Sequence, residues 1–199
     1  MSSHAPPRRQ PPDVRREQLL DAAQRVLLER GLRATTVADV AEAAGVAKGT
    51  MYLYYESKDD LLAALRSRYL ADCAAAVRPS PGKSVSERLR RMIIGLFDFG
   101  EAHHELHHLL FHEAGFSEDD AFTGVRQQFT DLIEEGVETG ELRVQDVQMA
   151  SVFVLNGVHG ALVHGLHSRR HGRRRTANLV ADLVDGALHS GVTDPGYPG

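Results

Sequence analysis

The stretch that most constrains this 199-residue chain is residues 34–58, ATTVADVAEAAGVAKGTMYLYYESK. It reads as a helix, a tight turn and a second helix. Thr36 stands where a side-chain oxygen caps a helix start, and Asp39, three residues on, can return a bond to the cap's own backbone. Val37, Val40 and Ala41 give an apolar stripe, while Ala43 and Ala44 allow close packing. Gly45 ends the helix, because glycine enters the left-handed region without a Cβ penalty. Val46 plugs the turn, and Lys48, Gly49 and Thr50 begin the second helix. In a helix-turn-helix of this layout the second helix enters a DNA major groove with its N-terminal residues against base edges. A plain helical hairpin with a glycine turn imitates part of this pattern, but not the continuous run.

The match extends from Leu19 through GLRATTVADVAEAAGV to GTMYLYYESKDDLLAAL. In order it contains a leading helix, Gly31, Thr35-Thr36, Ala44-Gly45-Val46, Gly49-Thr50, Tyr52, Tyr55, Ser57-Lys58 and Leu61. This segment resembles the N-terminal domain of the tetracycline-repressor (TetR) family of bacterial transcriptional regulators; the rest of the chain agrees only loosely. The resemblance implies an all-α fold, with an N-terminal three-helix helix-turn-helix domain and a C-terminal helical bundle for ligand binding and dimerisation. It also implies a repressor that holds a palindromic operator in double-stranded DNA as a homodimer and is released by a small-molecule effector. By the same resemblance Thr36, Tyr52, Tyr54 and Lys58 contact phosphates, which fix position but not sequence. Lys48 and Thr50 meet base edges or nearby phosphates, Gly49 permits close backbone approach, and Tyr55 is a packing residue. Two departures stand out: Ala47 occupies a position where a serine or threonine cap is common, and Glu56 places a negative charge near the DNA backbone.

Charge agrees with a molecule that touches DNA at one end. The net charge is −4, but residues 1–58 hold 9 Lys and Arg against 7 Asp and Glu, leaving an acidic remainder. That distribution argues against a general polyanion binder and for a basic head on an acidic body. The single Cys73 excludes a disulfide framework and fits a reducing cytoplasm. MSSHAPPRRQPPD has no apolar core and four prolines, so it reads as a disordered tail rather than a signal peptide, with Arg8 and Arg9 able to follow a phosphate backbone.

Beyond the tail, apolar spacing predicts helices over residues 13–30, from a Ser57 cap to 77, and over 84–102, 105–114, 119–139, 146–167 and 174–190. Leu61, Leu65 and Tyr69 repeat every four residues along the second of these. Pro79-Ser80-Pro81-Gly82 is the clearest breaker, and Gly140-Glu141-Leu142 a turn. The implied organisation is a tail at 1–12, a DNA-binding domain at 13–58, a connecting helix at 59–78, a ligand-binding and dimerisation domain at 84–190, and a tail at 191–199. Residues 147–168 lack Lys, Arg, Asp and Glu, a length that would span a bilayer. Three histidines, Asn156 and several glycines make a buried helix the better reading, with no membrane partner. Gly157, Ala161 and Gly165 recur every fourth residue and admit a second helix, which with Leu179, Leu183 and Leu188 suggests a four-helix dimer face.

Histidine is the other feature, with 11 in all. His104, His108 and His112 recur at i, i+4 and i+8, with His103 and His107 beside them; His164, His167 and His171 repeat the theme. Imidazoles at i, i+4 suit a metal ion, and residues 104–108 match H-E-x-x-H. A solvated or pH-responsive face is the preferred reading. A metal-sensing regulator is the alternative, and a metal-dependent hydrolase ranks last, since Phe111 and Ala114 stand where an extended zinc motif needs glycine and histidine. No other catalytic constellation appears, so neither enzymatic activity nor a cofactor is expected. The phenylalanines of the body are core material first. Phe97, Phe122 and Phe129 could also wall a cavity for an apolar effector, oriented by Arg126, Asn156 and His159.

Overall fold

The computed structural model describes residues 11–79, 81, 84–113, 122–167 and 173–190. The expected tails, the helix start at 119–121, Gly82 and Ser80 of the breaker, and His171 fall outside these, apart from Pro11 and Pro12. The side chains of His112, His164 and His167 are likewise outside. The described elements are helical throughout: α1 Pro12–Ala34, α2 Val37–Ala43, α3 Lys48–Tyr52, α4 Lys58–Ala76, α5 Val85–Ala102, α6 His104–His108, α7 Thr123–Glu138, α8 Val147–His167 and α9 Arg173–Ser190. A π-helical turn, Leu109–Glu113, follows α6 directly. The expected helix at 105–114 therefore changes winding half-way. The all-α reading holds.

Two compact units divide the chain: Met1–Arg68 with Glu105–Phe116, and Tyr69–His104 with Ser117–Gly199. The division falls inside α4 rather than at the proline breaker, and the first unit takes in a segment from far along the chain.

In the first unit, α1 ends its regular winding at Gly31, whose φ of 78° lies in the left-handed region where a Cβ would be strained. Thr35, buried, donates its hydroxyl to the Gly31 carbonyl at 2.8 Å. Leu19, Ala23, Val26 and Leu27 of α1, Val40 of α2, Met51 of α3, Tyr55, and Leu61 and Leu65 of α4 are all buried, with α1 against α2 and α2 against α3. Arg68 fastens α4 to α1, donating to Asp21 at 2.7 Å and to the Gln24 side-chain oxygen at 2.8 Å. The π-helical turn packs on α1, with Leu109, Leu110 and Phe111 buried.

In the second unit, α5 lies against α9 and α7, α8 against α7 and α9, and α5 against α8. Leu89, Met92, Ile93 and Phe97 of α5 meet Phe129, Leu132 and Ile133 of α7, with Val154, Leu155 and Val158 of α8 and Ala181, Val184 and Leu188 of α9. Two glycines set the spacing. A Cβ at Gly100 would meet Leu162 Cδ2 at 2.6 Å, and one at Gly136 would meet Leu142 Cδ1 at 2.5 Å. Gly140, with φ of 76°, reverses the chain after α7, so that Leu142 donates its N–H back to the Gly136 carbonyl at 2.9 Å. Glu141 accepts the Val85 N–H at 2.8 Å, satisfying one of the unpaired donors that open α5.

Candidate DNA-reading head and ligand-sensing body

The head is built from its caps. Thr36 accepts the Asp39 N–H at 3.2 Å, while the Thr36 N–H donates to an Asp39 carboxylate oxygen at 2.8 Å, so the expected capping box is present. The Thr36 hydroxyl also donates to that carboxylate at 2.6 Å, and Arg30 reaches its other oxygen at 2.7 Å. The hydrogen bonds from Thr36, then the Arg30 charge, hold the Asp39 carboxyl below its usual value. Gly45 turns with φ of 66°, as the sequence suggests. Ala47 precedes α3 with no side-chain cap bond. Met51 of α3 and Tyr55, three residues past its end, are both almost wholly buried, and the Arg16 guanidinium lies 5.8 Å from the centre of the Tyr55 ring. Burial pushes the Tyr55 hydroxyl pKa up, the direction expected of a packing residue.

The residues nominated for DNA fall at different depths. Lys48 and Gly49 are exposed, Thr50 and Tyr54 half-buried, and Tyr52 exposed, with the Lys48 ammonium 5.9 Å from the centre of its ring. Lys58 is half-buried and donates to the Leu32 carbonyl, while Thr36 has both donors on Asp39. Both side chains thus make bonds within the head. Sequence reasoning passed over Leu53, one turn beyond Gly49, which is strongly exposed.

In the body, Phe97 and Phe129 lie in the buried core, and Phe122 packs half-buried on its edge. Phe122 and His159 come together, with ring centres 5.0 Å apart. Arg126 and Asn156 are exposed. A groove of about 410 Å³ opens elsewhere, lined by Arg143, Val144, Gln145, Asp146, Met149, Ala150, Phe153, Ala187 and Leu188, with none of the nominated residues on its wall. Phe153, read as core material, is exposed, and Leu188, read as part of an outward face, is buried. The reason is helical phase: the neighbours cover the Ser151, Val154, Leu155 and Val158 side of α8, leaving Met149, Phe153 and Gly157 outside, and on α9 Leu188 falls on the covered side with Ala181 and Val184, away from Leu179 and Leu183.

Within the histidine run, His104 and His108 share an exposed face, while the flanking His107 and His103 turn to aromatic neighbours. His107 is buried and stacks on Phe111, ring centres 4.7 Å apart; His103 stacks on Phe99 at 4.3 Å. His104 and His108 are exposed, and His108 lies 3.5 Å from Glu113. Among the described residues, no three His, Cys, Asp or Glu side chains gather as a metal site requires. The metal-sensing alternative has no support. Among those residues, too, no helix is long and apolar enough to cross a membrane.

Comparison with known proteins matches two successive stretches of the chain. Residues 19–65 match the bacterial regulatory proteins of the tetR family, and residues 82–162 match the tetracyclin repressor-like C-terminal domain. The chain is 30% identical over 151 residues to the HTH-type transcriptional repressor KstR2 of Rhodococcus jostii (strain RHA1), covering 70% of this chain and 74% of that protein. Its fold is similar to the fatty acid degradation regulator FadR from Bacillus halodurans, with a TM-score of 0.72, 25% identity, and 91% of this chain and 98% of that one covered. It is similar also to FadR from Bacillus subtilis in complex with stearoyl-CoA, with a TM-score of 0.71, 22% identity, and coverage of 87% and 99%.

Proposed function

The chain belongs to the tetracycline-repressor family and is a ligand-responsive, DNA-binding transcriptional repressor; from that premise we propose that two copies pair through the outward faces of α8 and α9 to hold a palindromic operator. The observation that carries this is a set of large apolar side chains facing out of the body. Leu183 is 74% exposed and Phe153 65%, with Met149 and Leu179 also exposed, on two helices that pack side by side. No Cβ at Gly157, Gly160 or Gly186 would meet anything within 4 Å, so a second pair of helices has room to approach. A two-fold pairing uses the same patch twice and makes four helices from two. The groove shares Met149 and Phe153 with this face, and pairing covers it.

The effector enters beside Phe122 and His159, at the rim of the body's core. An aromatic ring and an imidazole offer an apolar wall with one polar handle, as ligand sites commonly do. The Bacillus halodurans relative regulates fatty acid degradation, which makes acyl-CoA thioesters the first probes. Helix α4 supplies residues to both compact units, and an effector that tilts it changes the separation of the two recognition helices. Such coupling is typically worth 1–3 kcal/mol, or roughly 5- to 150-fold in operator affinity. The site of action is the cytoplasm, where operator DNA lies, and no catalytic step is assigned. Selection from random duplexes, followed by footprinting, tests the reading. Two-fold repeats with half-sites about 34–36 Å apart support it, and single, unrepeated sites contradict it.

A further inference from the structure

We propose that Leu53 reads the 5-methyl group of a thymine in the operator's major groove, which makes it a specificity residue of the head. The inference rests on α3 being the helix that enters the groove. At about 100° per residue, positions 49 and 53 lie on the side of α3 opposite Met51. Met51 and Tyr55 are buried to within 1% and clamp the inner side, so the outer side is Gly49 and Leu53. Gly49 has no side chain to offer, and a Cβ there would meet nothing within 4 Å. Leu53 is 82% exposed.

A single exposed leucine on an arbitrary surface would need no explanation. This one is held on the reading face by a fixed turn. Its backbone stays helical, with φ of −75° and ψ of −19°, and its N–H donates to the Thr50 carbonyl at 3.2 Å. The next two residues donate to the Met51 carbonyl at 3.0 and 2.9 Å. The side chain is therefore presented from a defined position, one helical turn beyond Gly49.

Leucine cannot exchange hydrogen bonds with a base edge. The one apolar group among the base edges of the major groove is the thymine methyl, and apolar contact is how proteins read it. Lys48 supplies charge, and Thr50, half-buried, supplies a hydroxyl and one methyl of its own; charge and hydrogen bonds do not distinguish thymine from uracil. A leucine that meets the methyl does. Burying one such group is worth about 0.8 kcal/mol, which is about four-fold in affinity per half-site and about sixteen-fold for a two-fold operator.

The test uses the full-length protein and an operator recovered by selection, resynthesised with deoxyuridine in place of each thymine pair in turn across both half-sites. The change removes the methyl and keeps every hydrogen bond. The wild type loses about ten-fold or more at one symmetric position, while Leu53→Ala binds the thymine and uracil duplexes equally. Leu53 is exposed enough for the substitution to leave the fold intact. Indifference of the wild type to deoxyuridine at every position overturns the proposal, as does a Leu53→Ala variant that keeps the wild-type sensitivity. Failure to select any duplex is a different result: it removes the operator-binding reading and this inference with it.

Discussion

Thr36 and Asp39 exchange hydrogen bonds in both directions across the first turn of α2, Asp39 N–H to Thr36 hydroxyl at 3.2 Å and Thr36 N–H to Asp39 carboxylate at 2.8 Å. Together they fix the angle at which the chain enters the helix-turn-helix. Thr36→Ala is expected to destabilise the head by about 1 kcal/mol, read as a lower melting temperature. The pH dependence has a definite sign. The Asp39 carboxyl is held below its usual value of 3.8 by bonds to its charged form, so its contribution is present above about pH 4 and is lost as the pH falls through the lowered value. Asp39→Asn lacks that carboxylate, and its stability should fall less steeply than the wild type's below pH 4.

Gly136 and Leu142 supply a second test. A methyl group at Gly136 would sit 2.5 Å from Leu142 Cδ1, and Val85 blocks the other side at 3.0 Å. Gly136→Ala should therefore destabilise the body by about 1–3 kcal/mol despite alanine's better helix propensity. Combined with Leu142→Ala, which vacates that space, the loss should be smaller than the sum of the two single losses. Full additivity in denaturant titrations would mean that the two sites do not touch.

Phe129 and Asn156 should behave as opposites, although both were nominated for one pocket. Phe129 is fully buried, so Phe129→Ala should cost about 3–5 kcal/mol. Asn156 is exposed, and Asn156→Ala should stay within about 0.5 kcal/mol. Loss of effector response in the first variant would therefore report damage to the core. Phe122→Ala and His159→Ala, at the rim, are the informative pair: operator binding should persist while release by the effector is lost. If stearoyl-CoA releases the wild type, unchanged release from both variants would exclude this site.

Cys73 lies in the body core of α4, and burial pushes its thiol pKa up to about 12. A neutral, enclosed thiol is a poor nucleophile. An alkylating reagent at neutral pH should label it only under denaturing conditions. Rapid labelling of the folded protein would show that this part of the core opens.

These outcomes mirror what the sequence could convey. Thr36, Asp39, Gly45 and Tyr55 were legible because each obeys a rule that spans a few residues: a cap, a left-handed turn, an inward anchor. Helix ends followed from similar signals at Ser84, Gly140 and Asp146. Which face of α8 stays outside was not legible, because its apolar residues run round the whole helix and no period distinguishes covered from uncovered. Phe153 lies outside for that reason, whereas Leu188 follows Ala181 and Val184 onto the covered side of α9. The packing of Leu109–Glu113 on α1, which encloses this stretch in the head's compact unit, joins segments far apart in the chain. Spacing within HHELHHLLFHE could not reveal it. The exposure of Leu53 was recoverable in principle, since it lies two residues from both Met51 and Tyr55.

The outward face of α8 and α9 carries the central claim, that the operator is held by a pair of copies. Leu183→Glu places a charge in the middle of that face at a position 74% exposed, so the fold of one copy should be unaffected. Sedimentation and operator titration on the same sample give the decisive measurement. The variant should sediment as a folded monomer at concentrations where the wild type is a dimer. Its operator affinity should fall on the order of 10²-fold or more, since each head then grips its half-site alone. A monomeric variant that binds the palindrome as tightly as the wild type, or a variant that remains a dimer, would contradict the account.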